Sequence, residues 1–170
     1  MAASLKQVAW DACVWIALIQ KETGIIDDGI DRYTRCRSVI DQASNGKLEI
    51  VCSALCIAEV CRNRDVLDSD ESKVAAYFEH SYLITSALGR DIAERARGLM
   101  MSGIPGLKPA DACNLATALE APKVLELHTF DKKLLEQTGK LSKRDGSKLK
   151  ICFADVGSPM PPLLRGAMGS

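Results

Sequence analysis

VAWDACVWIALI, residues 8–19, carries one carboxylate in a run that is otherwise apolar or small. With its flanks it reads as a strand over 5–11 followed by a helix over 12–22, and Asp11 falls at the junction. An ionised side chain among apolar neighbours is costly unless it is paired or binds a metal. Aspartate is also a good helix N-cap, and ACVWIALI is a helix it could start. Both readings stand on this stretch alone. Recurrence of the pattern would separate them.

Strand-like and helix-like segments alternate along the rest of the chain. A helix over 26–47 ends at Asn45-Gly46, and LEIVCS (48–53) is a strand. A helix over 53–64 follows, which Ser53 could cap, then an acidic loop and a helix near 71–80. YLITSAL (82–88) is a strand, residues 89–103 a helix closed by Gly103, and residues 108–121 a helix with Pro109 in its first turn. VLELHT (124–129), a short helix after it and KLKICFAD (148–155) complete the pattern. Five strands separated by helices predict an α/β fold with a mostly parallel sheet covered on both faces. Ligands of such sheets bind outside the carboxyl ends of the strands.

The chain's 170 residues suit one domain, placed at 1–157, with an irregular Pro/Gly-rich tail over 158–170. The last five residues, GAMGS, look like a cloning remnant. No apolar run reaches the roughly 18 residues that span a bilayer, and MAASLKQ lacks the features of a secretion signal. No membrane contact is expected. Seven cysteines, an odd number mostly within apolar stretches, suit reduced core thiols and a cytoplasmic location. There is no CxxC pair, and His80 and His128 stand apart, so zinc is not expected. With 22 basic and 22 acidic residues the net charge is zero, so any nucleic-acid contact must come from a local patch.

The oddity of Asp11 recurs. Glu59 is the one charge in ALCIAEVC, Asp111 the one charge in ADACNLATAL, and Asp131 follows the strand LELHT. Asp111 could simply favour the helix dipole, and Asp131 could be a turn residue or cap. Glu59, read as one to two turns into its helix, has no basic residue at i±4, although Arg62 at i+3 could partner it or reach the site's rim. In a parallel sheet all four acids can converge on one end, where their mutual repulsion would keep some protonated. Mg²⁺ or Mn²⁺, which prefer oxygen ligands, removes that conflict and points to phosphate chemistry.

VAWDACVWIALI, SALCIAEV, KPADACNLATALE and LELHTFDKKL, in this order and spacing, resemble the PIN-domain ribonucleases, most closely the toxins of VapC-like toxin–antitoxin pairs. The resemblance spans about residues 5–155 and implies a three-layer α/β/α sandwich with a five-stranded parallel sheet and Mg²⁺- or Mn²⁺-dependent cleavage of RNA. It implies Asp11 and Asp111 as principal metal ligands, Asp131 as a helper to a second ion, and Glu59 as the residue that orients water or completes the shell. Ser53 and Thr129 match small hydroxyl positions beside such pockets, although an N-cap and an ordinary strand threonine explain them equally well. Cys13 departs from the family, which often has Asn two residues after the first Asp. The loops near 63–72 and 138–150 are longer than in compact toxins, which leaves substrate type and partner open.

GKLSKRDGSKLK (139–150) is the clearest basic cluster, and Lys143, Arg144 and Lys148 there, with Arg62, are the candidate RNA contacts. A solvated loop explains it as well. Ile30, Tyr33, Arg37 and Ile40 share a helical face that could hold an antitoxin helix or simply pack in the core. The expected partners are an RNA substrate, an antitoxin protein and a second copy of the chain. The rival readings are a catalytically silent PIN-like binding module and a receiver-like phosphoacceptor. The second would need paired acids after its first strand and a lysine after its last.

Overall fold

The computed structural model of the chain describes residues 5–24, 29–60 and 71–155. Its elements are β1 (Lys6–Trp10), α1 (Ala12–Ile19), α2 (Arg32–Ser44), β2 (Leu48–Ser53), α3 (Ala54–Glu59), α4 (Glu71–Ala76), β3 (Leu83–Ser86), α5 (Arg90–Met101), α6 (Pro109–Glu120), β4 (Val124–His128), α7 (Lys132–Leu135) and β5 (Lys150–Cys152). The five strands form one sheet in the order β3-β2-β1-β4-β5, with every neighbouring pair parallel. The α/β architecture expected from the alternation is therefore the observed one. The chain moves outward from β1 to β2 and β3, then returns to add β4 on β1's other side. That reversal leaves a crevice above the carboxyl ends of β1 and β4.

The sheet's alternating side chains divide the core between its two faces. Val8, Trp10, Ile50 and Cys52 pack with α1 and α2, where Val14, Trp15, Leu18, Cys36 and Val39 are buried. Ala9 and Val51 face the other way, onto Ile92 and Leu99 of α5 and Leu115 and Leu119 of α6. Helices on both faces give three layers. Most elements are shorter than their sequence patterns. α2 begins only after Asp31, whose Oδ1 accepts from Thr34 N at 2.7 Å, rather than at residue 26. α3 runs Ala54–Glu59 with Val60 as its C-cap, which puts Glu59 in its second turn, and residues 61–64 of the expected helix lie outside the described residues.

Of the apolar stripe on α2, Ile40 is in the core and Tyr33 packs against it, while Arg37 pairs with Asp41 at 3.1 Å. The stripe is largely core packing. Among the described residues no disulfide forms, and no helix is long and apolar enough to cross a membrane. Residue 62 and the tail over 158–170 lie outside the described residues.

A hydrogen-bonded clamp joins β1, β4 and β5. Trp10 Nε1 donates to Nδ1 of fully buried His128 at 3.1 Å, so the neutral ring carries its proton on Nε2, 3.4 Å from Glu126 Oε2. Lys6 and Lys150 add ion pairs to Glu126 at 3.0 and 3.1 Å. The contact from His128, then those from the two lysines, hold the Glu126 carboxyl well below the usual range, while burial pushes the His128 ring down and keeps it neutral. The folded state thus holds Glu126 ionised where the unfolded chain would protonate it. Its contribution is complete above the ordinary glutamate pKa and fades as the pH falls below it. Glu126→Gln is expected to cost roughly 1 kcal/mol at pH 7, the lysines being part-exposed. Urea denaturation at several pH values should show that cost shrinking below about pH 4.

Candidate metal centre

Each acid singled out in the sequence is placed by the end of an element. Asp11 follows β1 and is the N-cap of α1, its Oδ1 accepting from Ala12 N at 2.9 Å. Asp11 is 4% exposed, yet its second oxygen also works: Oδ2 accepts from Thr129 Oγ1 at 3.0 Å and Cys13 Sγ at 3.2 Å. The cap and the site are therefore the same residue. Asp131 likewise caps α7, with Lys133 N donating to its Oδ1 at 2.8 Å. Asp111 sits in the first turn of α6, and Lys108 N reaches its Oδ2 at 3.3 Å. Ser53 caps α3 through Leu55 N at 3.2 Å.

Asn114, which the sequence reading passed over, ties the group together. One turn beyond Asp111 and 3% exposed, it donates from Nδ2 to Asp11 Oδ1 at 3.0 Å and to Glu59 Oε2 at 2.9 Å. Its Oδ1 accepts from Cys56 Sγ at 3.4 Å, so each polar end of the carboxamide is used. Donation to two carboxylates also fixes which end of the amide is nitrogen. The available signal was a polar residue inside ADACNLATAL, which reads as an apolar helical run. Thr129 is a second organiser: fully buried, it gives its proton to Asp11 and accepts from Asp131 N at 3.1 Å. Cys13 links the same pieces, with Phe130 N donating to its sulfur at 3.2 Å. Burial, then the Asp11 charge beside it, push the Cys13 thiol well above the ordinary cysteine range. That makes it a weak donor to the carboxylate and a poor nucleophile.

Asp111 registers the crowding. Burial first, then the charge of Asp11 and, less strongly, that of Asp131, raise its carboxyl above the usual range. This places Asp11, Asp111 and Asp131 within electrostatic reach of one another, and Asn114 bridges Asp11 to Glu59. An oxygen-rich set whose members repel suits a hard divalent cation. The donor set is of the kind Mg²⁺ or Mn²⁺ takes, although among the described residues no three of these carboxylates bring their oxygens within 4.8 Å of one another.

A different trio, Glu126, His128 and Cys152, has ligand atoms within 4.8 Å of one another. Its chemistry is that of the strand clamp. His128 accepts from Trp10, which leaves the proton on the nitrogen that would have to ligate, and two ammonium groups already neutralise Glu126. Burial raises the Cys152 thiol to about 11, far from a ready thiolate.

The basic loop lies elsewhere. Lys143 is 5% exposed and donates to Pro122 O at 3.0 Å and Val124 O at 2.5 Å. Arg144 pairs with Glu120 and with Asp91, and Lys148 donates to Ser142 Oγ at 2.8 Å. Val124 opens β4 while Thr129 follows its far end, and Glu120 closes the helix that Asp111 opens. Asp111 and Glu120 are nine positions apart on that helix, about 14 Å along its axis. The candidate contacts Lys143 and Arg144 are thus bound to the protein itself, at the end of the molecule away from the acids.

Removing the bridge tests the geometry directly. Asn114→Ala is expected to cost about 2–3 kcal/mol in urea denaturation with EDTA, because it withdraws the shared donor from two buried carboxylates. An unchanged midpoint would show that the bridge carries no energy.

No family model and no curated protein sequence matches the chain. Among solved structures it is similar to the VapC20 toxin of Mycobacterium tuberculosis, described as cleaving the sarcin–ricin loop. The match covers 74% of this chain and 90% of that chain at a TM-score of 0.51 and 15% identity. At that identity the likeness speaks to the fold. The fold of this chain is that of the VapC-like PIN domain.

Proposed function

We propose that the chain is a PIN-type endoribonuclease that depends on Mg²⁺ or Mn²⁺, with residues 1–157 as one catalytic domain. The observation that carries this reading is the gathering of Asp11, Glu59, Asp111 and Asp131 outside the carboxyl ends of β1 and β4, in a fold shared with a ribonuclease toxin. The neighbour's described action supports RNA as the substrate class. A toxin-like role, an antitoxin partner, self-association and a cytoplasmic location belong to the same reading.

Asp11, Asp111 and Asp131 would hold the ion. A divalent ion in such a site lowers the pKa of water and offsets the charge on the phosphate. Asn114 keeps the Asp11 and Glu59 carboxylates in register, and Glu59 would orient the attacking water or complete the shell. Thr129 and Cys13 fix Asp11 Oδ2 against rotation, so that the carboxylate need not reorganise on binding. No covalent intermediate is required. Burial and a neighbouring carboxylate leave the Cys13 thiol protonated and unsuited to attack.

Cleavage of a mixed RNA substrate with EDTA, Mg²⁺ or Mn²⁺ tests the reading. The wild type should cut only with metal, and Asp111→Asn should lose at least about 100-fold. Silence under every condition, with the protein folded, would leave a PIN-like binding module instead. A second measurement needs no substrate. Because burial and the charges of Asp11 and Asp131 disfavour its ionised carboxyl, Asp111→Asn should raise Tm slightly in EDTA. Mn²⁺ should raise the wild type's Tm and move the variant's less. Equal metal responses would remove Asp111 from the ion's ligands.

A further inference from the structure

In the loop over 139–150, Lys143, Arg144, Lys148 and Lys150 have partners within the protein and the Lys140 ammonium has none among the described residues; two lysines next to the acids are unpaired as well. Among the described residues, the ammonium groups of Lys108 and Lys133 have no ion pair or hydrogen bond, and both residues are exposed. Lys108 closes the connector between α5 and α6, directly before the helix that carries Asp111 and Asn114, and its charge acts on the Asp111 carboxyl. Lys133 begins on α7, just past Asp131, but its side chain reaches across to the same connector. A Cβ built on Gly106 would meet Lys133 Nζ and lie 3.2 Å from Cε and 3.4 Å from Cδ. Gly106 itself has φ +66°, so the connector takes its shape there from a backbone that side chains rarely adopt. One lysine by sequence and one by contact thus meet on a single rim, flanking Asp111 and Asp131.

We propose that Lys108 and Lys133 form the phosphate-binding rim of the site, holding single-stranded RNA by its backbone next to the scissile position. The inference rests on the ribonuclease reading and supplies what that reading lacked, a place for the substrate's charge. Four acids gathered at one end of a neutral protein repel a polyanion. A cation among the carboxylates offsets that locally, and unpaired ammonium groups at the rim give neighbouring phosphates a partner within a Debye length. The contact is to phosphate, so it carries no base preference. Lysine suits this task as a mobile point charge, with three donors able to follow a flexible strand.

The test is the salt dependence of binding, measured by fluorescence anisotropy of a labelled single-stranded RNA with Ca²⁺ replacing Mg²⁺, beside cleavage with Mn²⁺. Four proteins are compared: wild type, Lys108→Gln/Lys133→Gln, Lys140→Gln/Lys148→Gln, and Lys47→Gln, which removes an exposed charge before β2. The rim variant should bind on the order of tenfold more weakly at low salt, and its log–log salt slope should flatten by about 1.4 for two lost phosphate contacts. The Lys47 and loop variants should keep the wild-type slope. A rim variant with wild-type affinity and slope, while the wild type cuts RNA, overturns the rim and leaves the nuclease standing. A flattened slope in the Lys140/Lys148 variant instead moves the contact to the loop and overturns it too. A wild type that neither binds nor cuts RNA overturns the ribonuclease reading, and the rim with it.

Discussion

One carboxamide holds the site in its shape. Asn114 places a single nitrogen between Asp11 and Glu59, and the two carboxylates come from elements far apart in sequence. Asp11 follows β1, the central strand of the sheet, and Glu59 ends the helix after β2. Without a shared donor, these buried acids would repel each other and drift toward solvent. The bridge makes their proximity a property of the fold, so that a cation need only complete it. Asn114 in turn is held by α6, whose opposite side packs into the core with α5. The same helix brings Asp111 to the site one turn earlier. Core packing and site geometry are therefore set by one element.

The fold is legible in the sequence because a strand–helix alternation under a parallel sheet leaves few arrangements. What the pattern does not contain is strand order. Nothing in residues 124–128 says that β4 lies beside β1, yet that adjacency puts Thr129 against Asp11. The acids were legible for a related reason. A charge in an apolar run carries a cost that some feature must offset, and for Asp11 that feature is both a helix cap and the site. The two explanations looked like rivals only because each was assigned one oxygen's worth of work to a group that has two.

The same reasoning failed for polar groups that carry no charge and for charges whose partners are remote. Asn114 sits in an alanine-rich helix and breaks no rule of periodicity, so its role emerges only when α3 and β1 arrive beside it. The cations of 139–150 look free along the chain. In space Arg144 meets Glu120 and Asp91 on α6 and α5, and buried Lys143 meets the carbonyls at and just before the start of β4. A run of like charge in sequence predicts a patch only if the fold supplies no counter-charges. Lys108 and Lys133 illustrate the converse: twenty-five positions apart in the chain, they meet on one connector.

Zero net charge acquires a meaning from this arrangement. The protein sets several acids near the carboxyl ends of β1 and β4 and carries no net charge, so a polyanion gains little from long-range attraction. On the proposed reading, recognition would be short-ranged, built from an ion held by the carboxylates and the few ammonium groups at their edge. Such a site would be sensitive twice over, to the identity of the ion and to added salt. A protein coated in lysine would show only the second. On the ribonuclease reading the coupling would follow from the crowding around Asp111, because a negative field that favours a cation disfavours a polyanion until the cation is bound.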